Sequence, residues 1–267
     1  MSIVFVEAVG LVAPGLASWA EGRAVLAGDA AFERQPLPAL QPGILPPNER
    51  RRAPLGVKLA LLAAEQATLG AAAAAAELAT VFATSDADMD VVHRLCVALA
   101  EPNRSVSPTD FHNSVHNAAS GYWSIGAQAR GASTTLSAHD FTFAAGLREA
   151  LIQARIDDTD VLLVAFDVSP PPPLLAARPV PHAAAIAMWL RRQATERTLA
   201  QLSLEGMPGP ESVMRDAELE RLRRSNPALR SLPLLGAIAR REAALVHFAA
   251  ACRPHVPARS RHSLERD

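Results

Sequence analysis

Apolar residues form short runs that alternate with longer, alanine-rich stretches over the first 170 residues of the chain. The short runs are bounded by turn-forming residues, which is typical of buried strands. Strands are predicted at 3–11, 79–84, 133–136, 161–168 and 183–191, with a strand or irregular segment at 196–204. Helices are predicted at 19–28, 55–78, 88–100, 111–128 and in the stretch that ends at Ile152. Strands alternating with helices in this way predict an α/β layered domain.

Local signals refine this pattern. Six prolines between 36 and 54 predict an extended loop, and Gly70 is expected to divide the helix at 55–78 in two. Ser85 and Asp86 are expected to cap the helix at 88–100. The run at 161–168 is apolar enough to be covered on both faces of a sheet.

Residues 131–152 predict a strand, a tight corner and a helix in succession. Asp140 stands where the strand gives way to the helix, and we expect it to be the N-cap, whose carboxylate accepts hydrogen bonds from free backbone amides. In several enzyme families a corner of this kind carries a nucleophile at the positive end of the helix dipole. The corner is therefore the first candidate site.

The pattern changes near residue 206. A glycine- and proline-rich break at 206–210 precedes two predicted helices at 211–224 and 229–252, and the polar segment 253–267 is expected to be frayed. We therefore predict one domain at 1–205 and a helical C-terminal extension at 206–267.

Composition narrows the class of protein. The chain has 267 residues, 49% of them hydrophobic, and a formal net charge of −1, so no basic field suggests a nucleic-acid or anionic-membrane partner. Its two cysteines, Cys96 and Cys252, suit a reducing compartment. The first residues lack a signal-peptide pattern, and the longest apolar stretch, 59–78, is interrupted by polar residues. We expect a cytoplasmic protein.

Several residue groups near the corner could carry chemistry. Ser137, His139 and Asp140 are the types found in a hydrolase triad, but neighbours on a strand or turn diverge, and no G-x-S-x-G pattern surrounds Ser137. His112 and His116 would share a helix face, yet the companion glutamate of a zinc motif is absent and no third ligand is evident.

Neither a metal nor a cofactor is therefore expected. Glycines 121, 126 and 131 match no phosphate-binding pattern. Tyr122 and Trp123 fit either a core or the recessed wall of a binding site, because each has a large ring with a polar group.

Five passages, taken together, are similar to one family. They are VGLVAPG at 9–15, the segment 45–67, the segment 111–131, the strand and corner at 132–140 with the helix that follows, and the strand at 160–167; a fainter likeness continues through 182–192. In order and spacing they resemble the N-terminal half of the β-ketoacyl synthases, which have the thiolase-like fold. The resemblance implies that 1–205 is a ketosynthase N-terminal-like domain, followed by a truncated second half.

The resemblance also implies that this chain lacks the family's catalytic residues. In active members a cysteine at the corner is acylated, and two histidines and a lysine lie in the C-terminal half. Asp140 stands at the nucleophile's position here, and the chain beyond it has no comparable histidine motif and no lysine. A carboxylate is a poor substitute for a thiolate in thioester exchange, so no catalytic residue is assigned.

This pattern resembles the short ketosynthase-like subunits of aryl polyene and related polyene pathways, which are similar to chain length factors. There, an inactive subunit forms a heterodimer with a catalytic ketosynthase and shapes the tunnel for the growing acyl chain, so an acyl carrier protein is an indirect partner. By the same resemblance, the strand before the corner meets the partner across a dimer axis, and the preceding segment borders the acyl pocket. The implied interface and tunnel residues are Val115, His116, Ala119, Tyr122, Trp123, Thr134, Leu136 and Ala138.

Two other hypotheses stay open. The chain could be a degenerate thiolase-fold enzyme that uses Asp140 or His139 as an acid or base on an acyl thioester, since burial can raise the pKa of a carboxyl group. It could instead be a purely structural dimer partner that contributes nothing to a tunnel.

Overall fold

The computed structural model describes residues 3–204 and 209–248, which form a layered α/β unit. Its strands are β1 (Ile3–Val12), β2 (Ala79–Ala83), β3 (Ser133–Leu136), β4 (Val161–Asp167), β5 (Ala184–Arg191) and β6 (Ala200–Ser203). They form one six-stranded sheet in the order β3-β2-β4-β5-β1-β6. β3, β2 and β4 run parallel, whereas β5, β1 and β6 each pair antiparallel with their neighbours. The α/β prediction is confirmed.

Helices cover both faces of this sheet. Before the corner they are α1 (Trp19–Ala27), α2 (Pro47–Arg52), α3 (Leu55–Ala67), α4 (Ala72–Glu77), α5 (Met89–Ala100), α6 (Pro108–Asn113) and α7 (Ala118–Gly126). After it they are α8 (Thr142–Ile156), α9 (Leu174–Ala177), α10 (Ala217–Arg224) and α11 (Leu232–Arg240). Among the described residues, two 3₁₀ turns occur, at His139–Phe141 and Pro227–Ser231.

Helix ends follow local chemistry. α1 ends at Gly28, whose φ of 90° lies in the left-handed region that favours glycine. α5 begins after Asp88, whose carboxylate accepts a hydrogen bond from the N–H of Val91. The N-cap predicted at Ser85 and Asp86 is therefore wrong, and these residues belong to the loop that precedes the helix.

Two apolar clusters hold the layers together. On one face α3 packs against β1, β4 and β5, and α7 packs against α3. On the other face α8 packs against β2 and β4, and the segment from α10 through α11 joins the same cluster through Leu222, Leu229 and Leu235. All seven positions of β4 are buried because both faces are covered, as its apolar run predicts.

Glycine allows close approach at two of these contacts. A Cβ added at Gly10 of β1 would lie 1.9 Å from the carbonyl oxygen of Ala63, so α3 crosses the strand at backbone distance. A Cβ added at Gly146 of α8 would lie 2.7 Å from the Cβ of Ala83. Only glycine permits these separations without movement of the backbone or of the packed side chains.

Three element predictions need correction. The helix predicted at 111–128 is divided into α6 and α7, because residues 114–117 form turns. The loop predicted at 36–54 contains α2, where Pro47 stands at the first helical position, a site that needs no N–H. The helix predicted at 229–252 ends at Arg240, which is followed by the left-handed residue Arg241.

Part of the C-terminal prediction lies outside the described residues. The boundary between 205 and 206 falls between the described residues 204 and 209, and the tail at 253–267 follows residue 248, the last one described. The division into two domains stays a prediction.

Candidate functional site

The corner joins the edge strand β3 to α8. After β3 ends at Leu136, the chain passes through the turn His139–Phe141, in which His139 has a left-handed φ of 53°. The hydroxyl of Thr142 closes the turn, since it accepts from the N–H of Ala138 and donates to the carbonyl of His139. Asp140 is not the N-cap of α8; that position belongs to Phe141, which makes no side-chain cap bond.

Asp140 is instead held by an arginine from a distant part of the chain. Arg178, which follows α9, donates from Nη1 to Asp140 Oδ1 at 2.6 Å and from Nε to Asp86 Oδ2 at 2.6 Å. Burial acts to raise the pKa of Asp140, but the bond and charge of Arg178, with His139 and Arg230, hold it below its ordinary value. Asp140 is therefore ionised at neutral pH and bound in an ion pair.

The three residues of the possible triad do not converge. The Ser137 hydroxyl donates to the carbonyl of Ser85 at 2.7 Å, so its proton is directed away from His139. His139 Nδ1 lies 3.5 Å from Asp140 Oδ1, and the imidazole is largely exposed. This arrangement offers no base to activate the serine.

The loop at 84–87, between β2 and α5, connects the corner to the sheet. His116 Nε2 lies 3.2 Å from the carbonyl oxygen of Thr84, and Arg178 binds Asp86. At the end of β4, the buried carboxyl of Asp167 accepts hydrogen bonds from the Ser85 N–H at 2.7 Å and the Ser85 hydroxyl at 2.6 Å. Burial raises the pKa of Asp167 to about 7 even though these donors act to lower it.

The residues predicted for the interface and tunnel fall into three environments. Ala119, Tyr122 and Trp123 are buried in the apolar cluster between α7, α3 and the sheet. Val115 and His116 are exposed in the turn between α6 and α7. Thr134 and Leu136 are half-buried on β3, which forms one edge of the sheet, and Ala138 is half-buried two residues beyond that strand. The role predicted for this set stays a prediction.

The two histidines considered for metal binding do not share a helix face. His112 lies in α6 and stacks edge-on against Tyr122 with ring centroids 6.2 Å apart, whereas His116 lies beyond the end of that helix. Within residues 3–204 and 209–248, no three or more histidine, cysteine or acidic side chains form a group that could hold a metal ion.

For several residues of this region the sequence predicted no role at the corner. Asp86 follows β2 and Asp167 is the last residue of the neighbouring parallel strand β4, and polar residues at the carboxyl ends of such strands are a signal that could have been used. Arg178 lies 38 residues from its partner Asp140, and no local pattern marks it. Phe111 in α6 and Ile125 in α7 are exposed although they are large and apolar, and the sequence pattern did not mark them.

The comparisons with known proteins agree with this fold. A sequence model described as beta-ketoacyl synthase, N-terminal domain, matches residues 18–250. The comparison with curated proteins gives no match. Throughout the described part of the chain, no helix is long and apolar enough to cross a membrane.

Three solved structures show the likeness in fold. A chain in the ketosynthase ApeO and chain length factor ApeC complex from Xenorhabdus doucetiae matches with a TM-score of 0.66 and 23% identity, over 90% of this chain and 92% of that chain. The ishigamide ketosynthase/chain length factor gives 0.58 and 14%, over 72% and 62%.

The third is the AntDE:AntF complex of a type II acyl carrier protein with its ketosynthase, which gives 0.63 and 15%, over 76% and 67%. At these identities the structures establish the thiolase-like fold alone. The family model, by contrast, matches most of the chain. The protein therefore belongs to the β-ketoacyl synthase N-terminal domain family.

Proposed function

We propose that this chain is a non-catalytic, chain-length-factor-like subunit that forms a heterodimer with a catalytic β-ketoacyl synthase in the cytoplasm. The pathway would be of the aryl polyene type or another fatty-acid-like or polyketide assembly, with an acyl carrier protein serving the catalytic subunit. The ketosynthase-like domain would be 1–205, and 206–267 an extension. The observation that carries the proposal is the corner, where Asp140 is bound by Arg178.

The electrostatics of the corner disfavour catalysis by this chain. A general acid or base at neutral pH needs a pKa near 7, whereas the pKa of Asp140 lies below its ordinary value. A nucleophile for thioester exchange needs a thiolate, and Cys96, on the exposed surface of α5, belongs to a different element. These properties support a partner that supplies the chemistry and argue against the acid–base alternative.

The surface beside the corner supports a protein partner. β3 is an edge strand, and an unpaired strand edge readily adds another strand. Phe111 in α6, Val115 in the α6–α7 turn and Ile125 near the C-terminal end of α7 are exposed although they are large and apolar. Apolar side chains exposed in this way are typical of association surfaces. We therefore assign β3 and the exposed positions of α6 and α7 to the interface with the ketosynthase.

The comparisons support the same assignment. Two of the reported structures contain a ketosynthase and a chain length factor. The chain matched in the ApeO–ApeC complex is nearly equal in length to this one, because the alignment spans 90% of one and 92% of the other. A chain of about this length is therefore part of a complex of a ketosynthase with its chain length factor.

Within this proposal the predicted tunnel residues divide into two sets. Val115 and His116 are exposed and would face the partner or its acyl chain. Ala119, Tyr122 and Trp123 would support the wall from behind, because they are buried in the chain's own core. Replacing Val115 with tryptophan should therefore shorten the product, while a purely structural partner would leave product length unchanged.

The test is to co-express the chain with the catalytic ketosynthase encoded nearest to it, to isolate the complex and to measure product lengths with and without this chain.

Ile125→Arg places a charge on the proposed interface. Val213→Arg is a matched control, since Ile125 is 61% exposed and Val213 is 62% exposed. Val213 borders the cavity beside α1 and α11, near the opposite edge of the sheet from β3.

We expect a one-to-one complex that survives Val213→Arg and is lost in Ile125→Arg. We also expect products whose length becomes defined only when this chain is present. If no complex forms with the ketosynthase, or if both arginine variants behave like the unmodified chain, the assignment of partner and surface is wrong.

A further inference from the structure

The carboxyl group of Asp167 lies at the end of β4 beneath the 84–87 loop, and its side chain belongs to no ion pair in the described part of the chain. We propose that Asp167 and Asp86 compete for the single hydroxyl proton of Ser85, so that protonation of Asp167 controls how firmly Arg178 holds Asp140 at the corner. This proton-linked switch is a property of the folded chain and does not depend on the proposed function.

Asp167 is buried at one end of this chain of contacts. The residue is 2% exposed, and its Oδ2 atom is buried without a hydrogen-bond partner among the described residues. Its Oδ1 atom lies 2.7 Å from the N–H nitrogen of Ser85, 2.6 Å from the Ser85 hydroxyl and 3.2 Å from the Thr84 hydroxyl. A buried carboxylate with one oxygen unpaired is costly, so this site favours the neutral acid.

The Ser85 hydroxyl group lies between the two carboxyl groups. Its hydroxyl oxygen lies 2.6 Å from Asp167 Oδ1 and also 2.8 Å from Asp86 Oδ2, but a hydroxyl has only one proton to donate. If both carboxyls are ionised, one of the two short contacts has no proton. If Asp167 is protonated, it donates to Ser85 and Ser85 donates to Asp86, which satisfies both contacts.

The ionisation of Asp167 falls in the physiological range. Burial raises its pKa to about 7, and the nearby charge of Asp86 adds to that increase against the opposing effect of Ser85 and Thr84. When Asp167 loses its proton, the Ser85 hydroxyl turns to the new buried charge. Asp86 then loses one of its two donors.

Arg178 connects Asp86 to the corner. Oδ2 of Asp86 lies 2.8 Å from the Ser85 hydroxyl oxygen and accepts a hydrogen bond from Arg178 Nε, while Arg178 Nη1 binds Asp140. Once Ser85 has turned away, Arg178 is the remaining partner of that oxygen and is drawn toward Asp86. Asp140 consequently loses part of its ion pair as the pH rises through the pKa of Asp167.

Other charged or ionisable groups surround this chain of contacts, and three of them are histidines. They are Asp88 at the N-cap of α5, His139 beside Asp140, His116 against Thr84, Arg230 near Asp140, and His182, whose carbonyl shares the Asn226 amide with that of Asp167. A test must therefore separate Asp167 from the histidines, and Ser85→Ala does so because it breaks the link while every histidine remains.

The experiment is a nuclear magnetic resonance titration of the full chain labelled at the aspartate carboxyl carbons, from about pH 5 to about pH 9. Single Asp→Asn variants assign the signals. We expect the Asp167 carbon to titrate near pH 7 and the Asp140 carbon to show a step at the same midpoint. The step should vanish in Asp167→Asn and in Ser85→Ala, and persist in the control Asp157→Asn, which alters an exposed residue after α8.

Two results would overturn the proposal. One is an Asp167 signal that titrates below about pH 5, as an ordinary carboxyl does. The other is an Asp140 step that is unchanged in Ser85→Ala, which would assign the step to a histidine. If Asp167→Asn fails to fold, the comparison of Ser85→Ala with Asp157→Asn still decides between these outcomes.

Discussion

The bond between Arg178 and Asp140 allows a quantitative prediction about the corner. Arg178 is largely buried, with 14% of its side chain exposed, whereas 44% of the Asp140 side chain is exposed. A hydrogen bond to a charged group contributes about 1.5–3 kcal/mol, but solvent screening reduces exposed ion pairs to about 0.2–1 kcal/mol. The contact lies between these cases, so we expect a coupling energy of about 1 kcal/mol.

A double-mutant cycle measures this coupling. Arg178→Met keeps most of the apolar stem but loses the bonds to both Asp86 and Asp140, and should lower the free energy of unfolding by about 2–3 kcal/mol. Asp140→Asn should cost about 1 kcal/mol. Because the second change removes a bond already lost, the double variant should cost about the same as Arg178→Met alone.

Urea unfolding monitored by circular dichroism gives the four free energies, and equal slopes with denaturant would show that the unfolded states are comparable. Strict additivity of the two single variants would refute the reasoning, since it would mean that Asp140 and Arg178 do not interact in solution. Asp140→Asn also tests the acid–base alternative, because a chain with catalytic activity of its own would lose thioester turnover.

Three further predictions follow from the geometry. Gly10→Ala should destabilise the fold by several kcal/mol or prevent folding, because the added Cβ would meet the carbonyl oxygen of Ala63. The control Gly121→Ala, in α7, should raise the thermal midpoint, because nothing lies within 4 Å of its added Cβ. Equal effects of the two variants would contradict the close approach of β1 to α3. Asp216→Ala should cost about 1 kcal/mol in urea unfolding because it removes the N-cap of α10, and an unchanged midpoint would exclude that role. The lowered pKa of Asp140 contributes stability above its unfolded pKa that is lost as pH falls through the folded value, so Asp140→Asn should lose less stability on acidification.

The sequence determined much of the fold because strand and helix periodicity is local. The run at 161–168 becomes β4, buried on both faces, and the pattern at 131–152 becomes a strand, corner and helix. The order of motifs also indicated the family, which the match over residues 18–250 confirms. These features depend on residues that are close together in the chain, so a single sequence displays them.

The tertiary structure alone decided the chemistry of the corner. Asp140 has the sequence context of an N-cap, yet its carboxylate binds Arg178, because a long-range charge partner outweighs a local capping bond. Likewise, the stretch at 111–128 resembles one helix, but the division at 114–117 places Tyr122 and Trp123 in the core and leaves Val115 exposed. Contacts between residues far apart in sequence depend on packing, which no local pattern records.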